Sequence, residues 1–356
     1  MKIAQGSYLG LTLSTLLLLN IHNLSAKSKD QCYALALSGG ANKGAYQAGV
    51  IHGLAHLLPS EEVEWDVITG VSAGALNAGG ISVWPVDKPV EMSEWLVGMW
   101  MNMTNEKVYV PWPGGFEEGI FNRSGVFDDT PLLNFVNDVL HSSGKIYRKI
   151  TVSSVDSNTG QYITSDEDNV PFEELAERLV ASASIPFVFP HRHIKNWTLM
   201  DGGTVWNSNL VSAMNRCQEI VGDDLSKIVM DVIILGQATL NESLTTTGES
   251  LGNYLRYWSI SSYYNAMNDV LEFQDQYPNI TYRYFFKSSK PLTSGLEEME
   301  FTPEVLGPMI QIGKDDAKAV IGAGEGVGFQ RFKEWHKNKE VREQHPDINT
   351  YLHMKL

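Results

Sequence analysis

The chain reads as an α/β protein built on a mostly parallel central sheet. Short apolar runs alternate with helical stretches along the 356 residues, and glycine-bearing turns sit where strand passes into helix. That alternation implies parallel strands with helices on both faces. The chain is 43% hydrophobic, with no internal repeat and no long linker, which suits a single domain of roughly 300 residues.

The elements follow in order. Tyr33 to Leu37 reads as a buried strand, followed by the turn Ser38–Gly44 and a helix from Ala45 to Leu58 that stops at Pro59. Trp65 to Thr69 is a second strand, then comes the turn Gly70–Gly74, then small residues suited to a tightly packed helix. Further strands are expected at Lys149–Ser153, Trp197–Met200, Ile228–Leu235 and Tyr282–Phe286, with a helix at Phe172–Ala183. Residues Val86 to Asp129 are irregular and rich in Trp, Met, Gly and Pro, and read as a helix plus an excursion that covers a site. Residues 329–356 are charged and read as a surface helix and tail beyond a domain spanning 27–328.

Residues 1–26 stand apart. Met1-Lys2 is followed by an apolar run from Leu9 to Ile21, and Ser25-Ala26 offers small residues for cleavage. This is the pattern of a secretory signal peptide. The run is about 13 residues, short of the ~20 needed to span a bilayer. Five Asn-x-Ser/Thr sequons follow, at Asn102, Asn122, Asn196, Asn241 and Asn279, as expected of a secreted or lumenal glycoprotein. Cys32 and Cys217 are the only cysteines; they could form one disulfide or remain buried thiols. The net charge of −15 excludes nucleic acid as a ready partner, because like charges repel. It also removes any pull toward anionic membranes, so lipid contact must come from apolar and aromatic groups.

Gly70-Val71-Ser72-Ala73-Gly74 matches the G-x-S-x-G turn, in which a nucleophile sits between strand and helix. Flanking side chains would clash there, hence the glycines, and the following helix points its N-terminal amides at developing negative charge. Gly248-Glu249-Ser250-Leu251-Gly252 fits the same string, but it follows a polar stretch with no strand and reads as a loop. The setting therefore selects Ser72. Upstream, the consecutive small residues Gly39, Gly40 and Ala41 can expose backbone N–H groups to an oxyanion. A phosphate loop is the rival, but neither G-x-G-x-x-G nor a Walker lysine is present, since Lys43-Gly44 stands in the reverse setting. Downstream, Asp201-Gly202-Gly203 closes a strand; alone it would be an ordinary Asp-Gly turn.

Together these blocks resemble the patatin-like phospholipases. Leu37-Ser38-Gly39-Gly40-Ala41-Asn42-Lys43-Gly44-Ala45-Tyr46-Gln47-Ala48-Gly49 is similar to the family's opening block, GVSAG and Asp-Gly-Gly are its other marks, and Ala181 to Pro190 resembles the segment preceding Asp-Gly-Gly. The resemblance implies a patatin-like three-layer α/β/α sandwich and a Ser72–Asp201 dyad without histidine. It gives Gly39, Gly40 and Ala41 as oxyanion donors, and Lys43, Gly44, Gly70, Gly74, Gly202 and Gly203 as loop support. It implies deacylation of membrane or micellar phospholipids or related lipids, with no metal and no cofactor; no calcium loop or His/Cys metal spacing is visible. Ala41 stands where a third glycine is usual, and Asn209 where proline is common.

Two alternatives remain open at this level. A Ser-acid-His triad would draw on His336, His345 or His353, all in the charged tail, while a storage or lipid-binding glycoprotein would need neither Ser72 nor Asp201. Trp84, Trp95, Trp100 and Trp112, with Met99, Met101 and Met103, either line an acyl channel or belong to the core.

Overall fold

The computed structural model describes residues 30–235 and 249–344. The expected signal peptide, Asn241, His345 and His353 lie outside the described residues. Three parallel strands lead: β1 (Cys32–Leu37), then α1 (Gly44–Leu57) and β2 (Val67–Val71), then α2 (Ala73–Ser82) and, further on, β5. Between α2 and β5 run α3 (Pro89–Met101), α4 (Asn105–Val108), β3 (Val110–Pro111), α5 (Gly115–Asn122), β4 (Phe127–Asp128) and α6 (Thr130–Ser143). β5 (Lys149–Asp156) turns back into β6 (Tyr162–Asp166), followed by α7 (Leu175–Ser182), β7 (Arg192–Ile194) and β8 (Trp197–Asp201). The chain ends with α8 (Leu210–Val221), β9 (Ile228–Ile233), α9 (Ser250–Gln276), β10 (Thr281–Phe286), α10 (Pro303–Ala323) and α11 (Val327–Gln344).

The main sheet runs β10-β9-β1-β2-β5-β8-β7, with β6 also paired to β5. The pairings from β10 across to β5 are parallel, whereas β6, β8 and β7 join antiparallel. β1 shows why the sheet is sandwiched. Leu35 and Leu37 enter the core shared with α1, α2, α3, α6, α7 and α10, while Cys32, Ala34 and Ala36 enter the core beneath α8, α9 and α11. Side chains alternate across a strand, so a run buried at every position but Tyr33 needs a helical layer on each side. The result is the expected α/β/α sandwich.

Two details differ from the sequence expectation, and a third settles an alternative it left open. Ser250 is not in a loop; it opens the long helix α9. The boundary expected near residue 328 falls inside the start of α11, whose Phe329 and Phe332 are buried against Phe285 with ring centroids 5.6 and 4.4 Å away. Cys32 and Cys217 are bonded, with Cα atoms 5.5 Å apart, stapling the start of β1 to α8. Among the described residues, no helix is long and apolar enough to cross a membrane.

Candidate active site

Ser72 sits between β2 and α2 with φ 54° and ψ −124°, a left-handed conformation that a residue with a side chain rarely adopts. Strain of this kind persists only where the surroundings hold it. A Cβ on Gly74 would lie 2.4 Å from the carbonyl oxygen of Leu37, and one on Gly70 2.3 Å from that of Gly74, so β1, β2 and α2 close on one another through bare backbone. The N–H of Ser72 donates to Ser182 Oγ at 3.0 Å, and the Ser182 hydroxyl donates to the Ser153 carbonyl at 2.6 Å. The elbow is thereby tied to α7 and β5. The first amides of α2 stand beside Ser72 without intrahelical partners, which adds a positive end to the site.

The register of the sheet delivers the acid. Val71 pairs with Ser153 on β5, and Ser154 pairs with Asp201 on β8. β6 takes the other edge of β5 at residues 151–155, so β2 and β8 follow one another along a single edge, and Val71 and Asp201 stand against the consecutive residues Ser153 and Ser154. Ser72, directly after Val71, is therefore brought beside Asp201 on one side of β5, within side-chain reach. Because β8 runs antiparallel to β5, Asp201 arrives at this edge followed at once by Gly202 and Gly203.

Asp201 is fully buried. Its Oδ1 accepts the Gly203 N–H at 2.7 Å, and Oδ2 makes no hydrogen bond of ordinary geometry. Burial pushes its pKa up to about 7, against the smaller opposing pulls of the Ser72 hydroxyl and the Gly203 N–H. A carboxyl poised near neutrality, with one oxygen unengaged, is suited to taking a proton.

The glycine loop divides its labour. Gly39 N–H donates to both the carbonyl oxygen and Oδ1 of Asn207, each at 3.2 Å, and Asn207 Nδ2 returns a bond to Gly39 O at 3.2 Å. Gly39 is thus a fastening point, its N–H already engaged, unlike those of Gly40 and Ala41. No acceptor takes their N–H groups among the described residues. A Cβ on Gly39 would fall 2.7 Å from Ser72 Cβ, so the loop lies directly on the nucleophile. Ala41 has φ 51°, the angle for which a glycine is the unstrained choice. Lys43 Nζ pairs with Glu298 Oε1 at 3.1 Å, both side chains almost wholly buried, and Glu298 also accepts from Ser259. Asn42 Nδ2 donates to the carbonyls of Glu297 and Glu300 at 2.7 and 2.9 Å. The loop is therefore anchored to the one-turn helix Gly295–Met299 and to α9.

Asn209 is the N-cap of α8: its Oδ1 accepts the Ser212 N–H at 2.9 Å, and its Nδ2 donates to Ser153 Oγ at 2.7 Å. An asparagine there can cap the helix through its side chain and reach β5, neither of which a proline can do.

An apolar cavity of about 60 Å³ opens onto Ser72 and Ala41 and runs between α2, α3, α6 and α7, with Met99, Leu132, Phe135, Val139 and Phe301 in its walls. Of the aromatic and sulfur residues singled out in the sequence, Trp95, Trp100, Met99 and Met103 line it; Trp84, Trp112 and Met101 do not. Trp100 also donates its indole N–H to Asn77 Oδ1 at 2.8 Å, and Asn77 bonds the Gly44 carbonyl and Gln47, so the cavity wall and the glycine loop share one satisfied network. No histidine lines this cavity. His336 lies on α11, and His193 Nδ1 is engaged with Thr198 Oγ1 on the far edge of the sheet.

Asn207, Ser182 and Ser153 escaped the sequence reading. Each is a small polar residue in an ordinary setting, and only the long-range pairing of β2, β5 and β8 brings them around Ser72. The one available signal was Asn207's position six residues beyond Asp201, too weak to act on alone.

The family model for patatin-like phospholipase matches residues 35–214. No curated protein sequence gives a significant match. Among solved structures, VipD from Legionella pneumophila is similar at 12% identity and a TM-score of 0.40, covering 83% of this chain and 67% of VipD. ExoU, in its heterodimeric complex with SpcU from the type III secretion system of Pseudomonas aeruginosa, is similar at 12% identity and a TM-score of 0.38, covering 83% of this chain and 52% of ExoU. The chain thus spans about two thirds of VipD and about half of ExoU. The family match takes in the whole stretch from β1 to the start of α8 that brings Ser72 and Asp201 together along one edge of β5, and the chain belongs to the patatin-like phospholipase family.

Proposed function

We propose that the protein is a lipid acyl hydrolase working through a Ser72–Asp201 dyad. The observation that carries the reading is the strained Ser72 at the mouth of an apolar cavity, beside the buried carboxyl of Asp201 on the same edge of β5. Membership of the patatin-like phospholipase family supports lipid hydrolysis in general. In the proposed reaction Ser72 Oγ attacks the ester carbonyl carbon as its proton passes to Asp201. The N–H groups of Gly40 and Ala41, with the α2 N-terminus, hold the oxyanion. Collapse expels the alcohol, which takes the proton from Asp201 and leaves an acyl-Ser72. Water then attacks the acyl carbon, giving its proton to Asp201, and the fatty acid leaves as Ser72 recovers a proton.

The substrate in this reading is a membrane or micellar lipid. Phe187 is 40% exposed and its ring lies 5.2 Å from that of Tyr254, whose pKa is raised chiefly by burial, with smaller pushes from Tyr257 and Asp201. With Tyr257 beside them, these aromatics offer a lipid surface contact that needs no basic residues, in keeping with the net charge of −15. A secretory location is part of the same proposal. It is supported by the Cys32–Cys217 bond and by the exposure of Asn102, Asn122, Asn196 and Asn279, the sequon asparagines within the described residues.

A fluorophosphonate probe tests the chemistry. Wild-type protein labels and Ser72→Ala does not; labelling that survives Ser72→Ala would sink the assignment.

A further inference from the structure

The cavity at Ser72 is not the only apolar space along α3. A second hollow of about 360 Å³ lies on the surface, lined by Trp95, Gly98, Met99, Asn102, Lys107, Phe135 and Val139. Four of those residues, Trp95, Met99, Phe135 and Val139, also line the inner cavity. Inside and outside are therefore separated by a partition one side chain thick, contributed by α3 and α6. The inner cavity is small for a long acyl chain, and nothing polar crosses the partition. Met99 is unbranched and adaptable, so it can move aside at little cost.

We propose that this partition is a second door, through which the methyl end of a long acyl chain leaves the inner cavity and lies in the surface hollow beside Gly98. The proposal rests on the acyl-hydrolase reading and names its substrate class: esters of long, unbranched fatty acids. Short chains end inside and do not feel the hollow, whereas long chains gain burial there, each added methylene strengthening binding by a further factor.

Gly98 gives a clean handle. A Cβ at this position meets nothing within 4 Å, and Gly98 does not line the inner cavity. Gly98→Trp should fill the hollow from outside, and Gly98→Leu should do so in part. Met99→Ala should open the partition. The experiment measures kcat/KM for p-nitrophenyl esters from butyrate to palmitate in detergent micelles, read for each variant as the ratio of palmitate to butyrate. Fluorophosphonate labelling of every variant reports an intact site. The expected result is a fall of roughly tenfold in the ratio for Gly98→Trp, the effect of losing about two buried methylenes, a smaller fall for Gly98→Leu, and a rise for Met99→Ala. Ratios unchanged in Gly98→Trp and Met99→Ala, with labelling intact, overturn the second door while leaving the hydrolase reading in place. Wild-type protein that neither labels nor turns over any ester overturns both.

Discussion

Replacing Asp201 by Asn should abolish turnover and, at alkaline pH, make the protein more stable. The wild-type carboxyl has a pKa of about 7 in the folded protein because it is buried, and an ordinary value near 4 in the unfolded chain. The folded state therefore holds this proton more tightly than the unfolded chain does. Its contribution to stability falls as pH rises from about 4 to about 7, the reverse of a carboxylate held in an ion pair. A shift of about three units makes the ionised carboxyl cost on the order of 4 kcal/mol at pH 8, relative to a side chain that never ionises. At pH 5 the folded carboxyl is protonated while the unfolded one is mostly ionised, and the cost drops to on the order of 1 kcal/mol. Asn keeps an oxygen for the Gly203 N–H, and whatever its amide hydrogens gain or lose beside the Ser72 hydroxyl does not change with pH. The clean quantity is therefore the difference between two pH values. Guanidinium unfolding of oxidised wild type and Asp201→Asn should show the variant gaining on the order of 3 kcal/mol relative to wild type between pH 5 and pH 8. Asp269 is half-buried, with a pKa also raised to about 7 by desolvation, but it is present in both proteins and cancels. A stability difference that is the same at both pH values would refute the reasoning. It would mean that Asp201 carries an ordinary carboxylate pKa and is not poised as a base.

The remaining expectations are simpler. Wild-type kcat should fall below about pH 7 as Asp201 gains its proton, and a pH–rate profile flat from 5 to 8 would contradict that role. Lys43→Met leaves Glu298 buried without its cation and should destabilise the fold by about 3–5 kcal/mol, whereas the double variant with Glu298→Gln should recover part of that loss; thermal unfolding of the three proteins checks both. Reducing the Cys32–Cys217 bond, which spans 185 residues of sequence, should cost about 2–4 kcal/mol, read as a lower melting temperature in dithiothreitol. Ending the chain at Gly328 removes Phe329 and Phe332 from the core under α11 and should lower the melting temperature, while Ser72 still labels below the new transition.

Much of the site was legible in the one-dimensional chain, because its chemistry depends on local geometry. A nucleophile at a strand-to-helix turn needs glycine neighbours at fixed offsets, and Gly70 and Gly74 stand there; residues that fit the same string at Ser250 lacked the strand and proved to open a helix. Buried parallel strands advertise themselves as unbroken apolar runs, so β1, β2, β5, β9 and β10 could be read to within three residues. Helices α9 and α10 escaped because their faces are mixed and their stability comes from packing on the sheet, which no local window reports. The sequence by itself determined the alternation of strand and helix, the placing of Ser72 at a strand-to-helix turn and of Asp201 at a strand end, and the presence of a glycine loop, since these follow from spacing and residue type. Only the tertiary structure decided that Asp201 comes in on an antiparallel strand, that Gly39 is tied to Asn207, and that four of the seven candidate Trp and Met residues line the cavity. Those outcomes depend on strand register and on which helices share a face, and contacts between residues more than a hundred positions apart leave no pattern in a single chain.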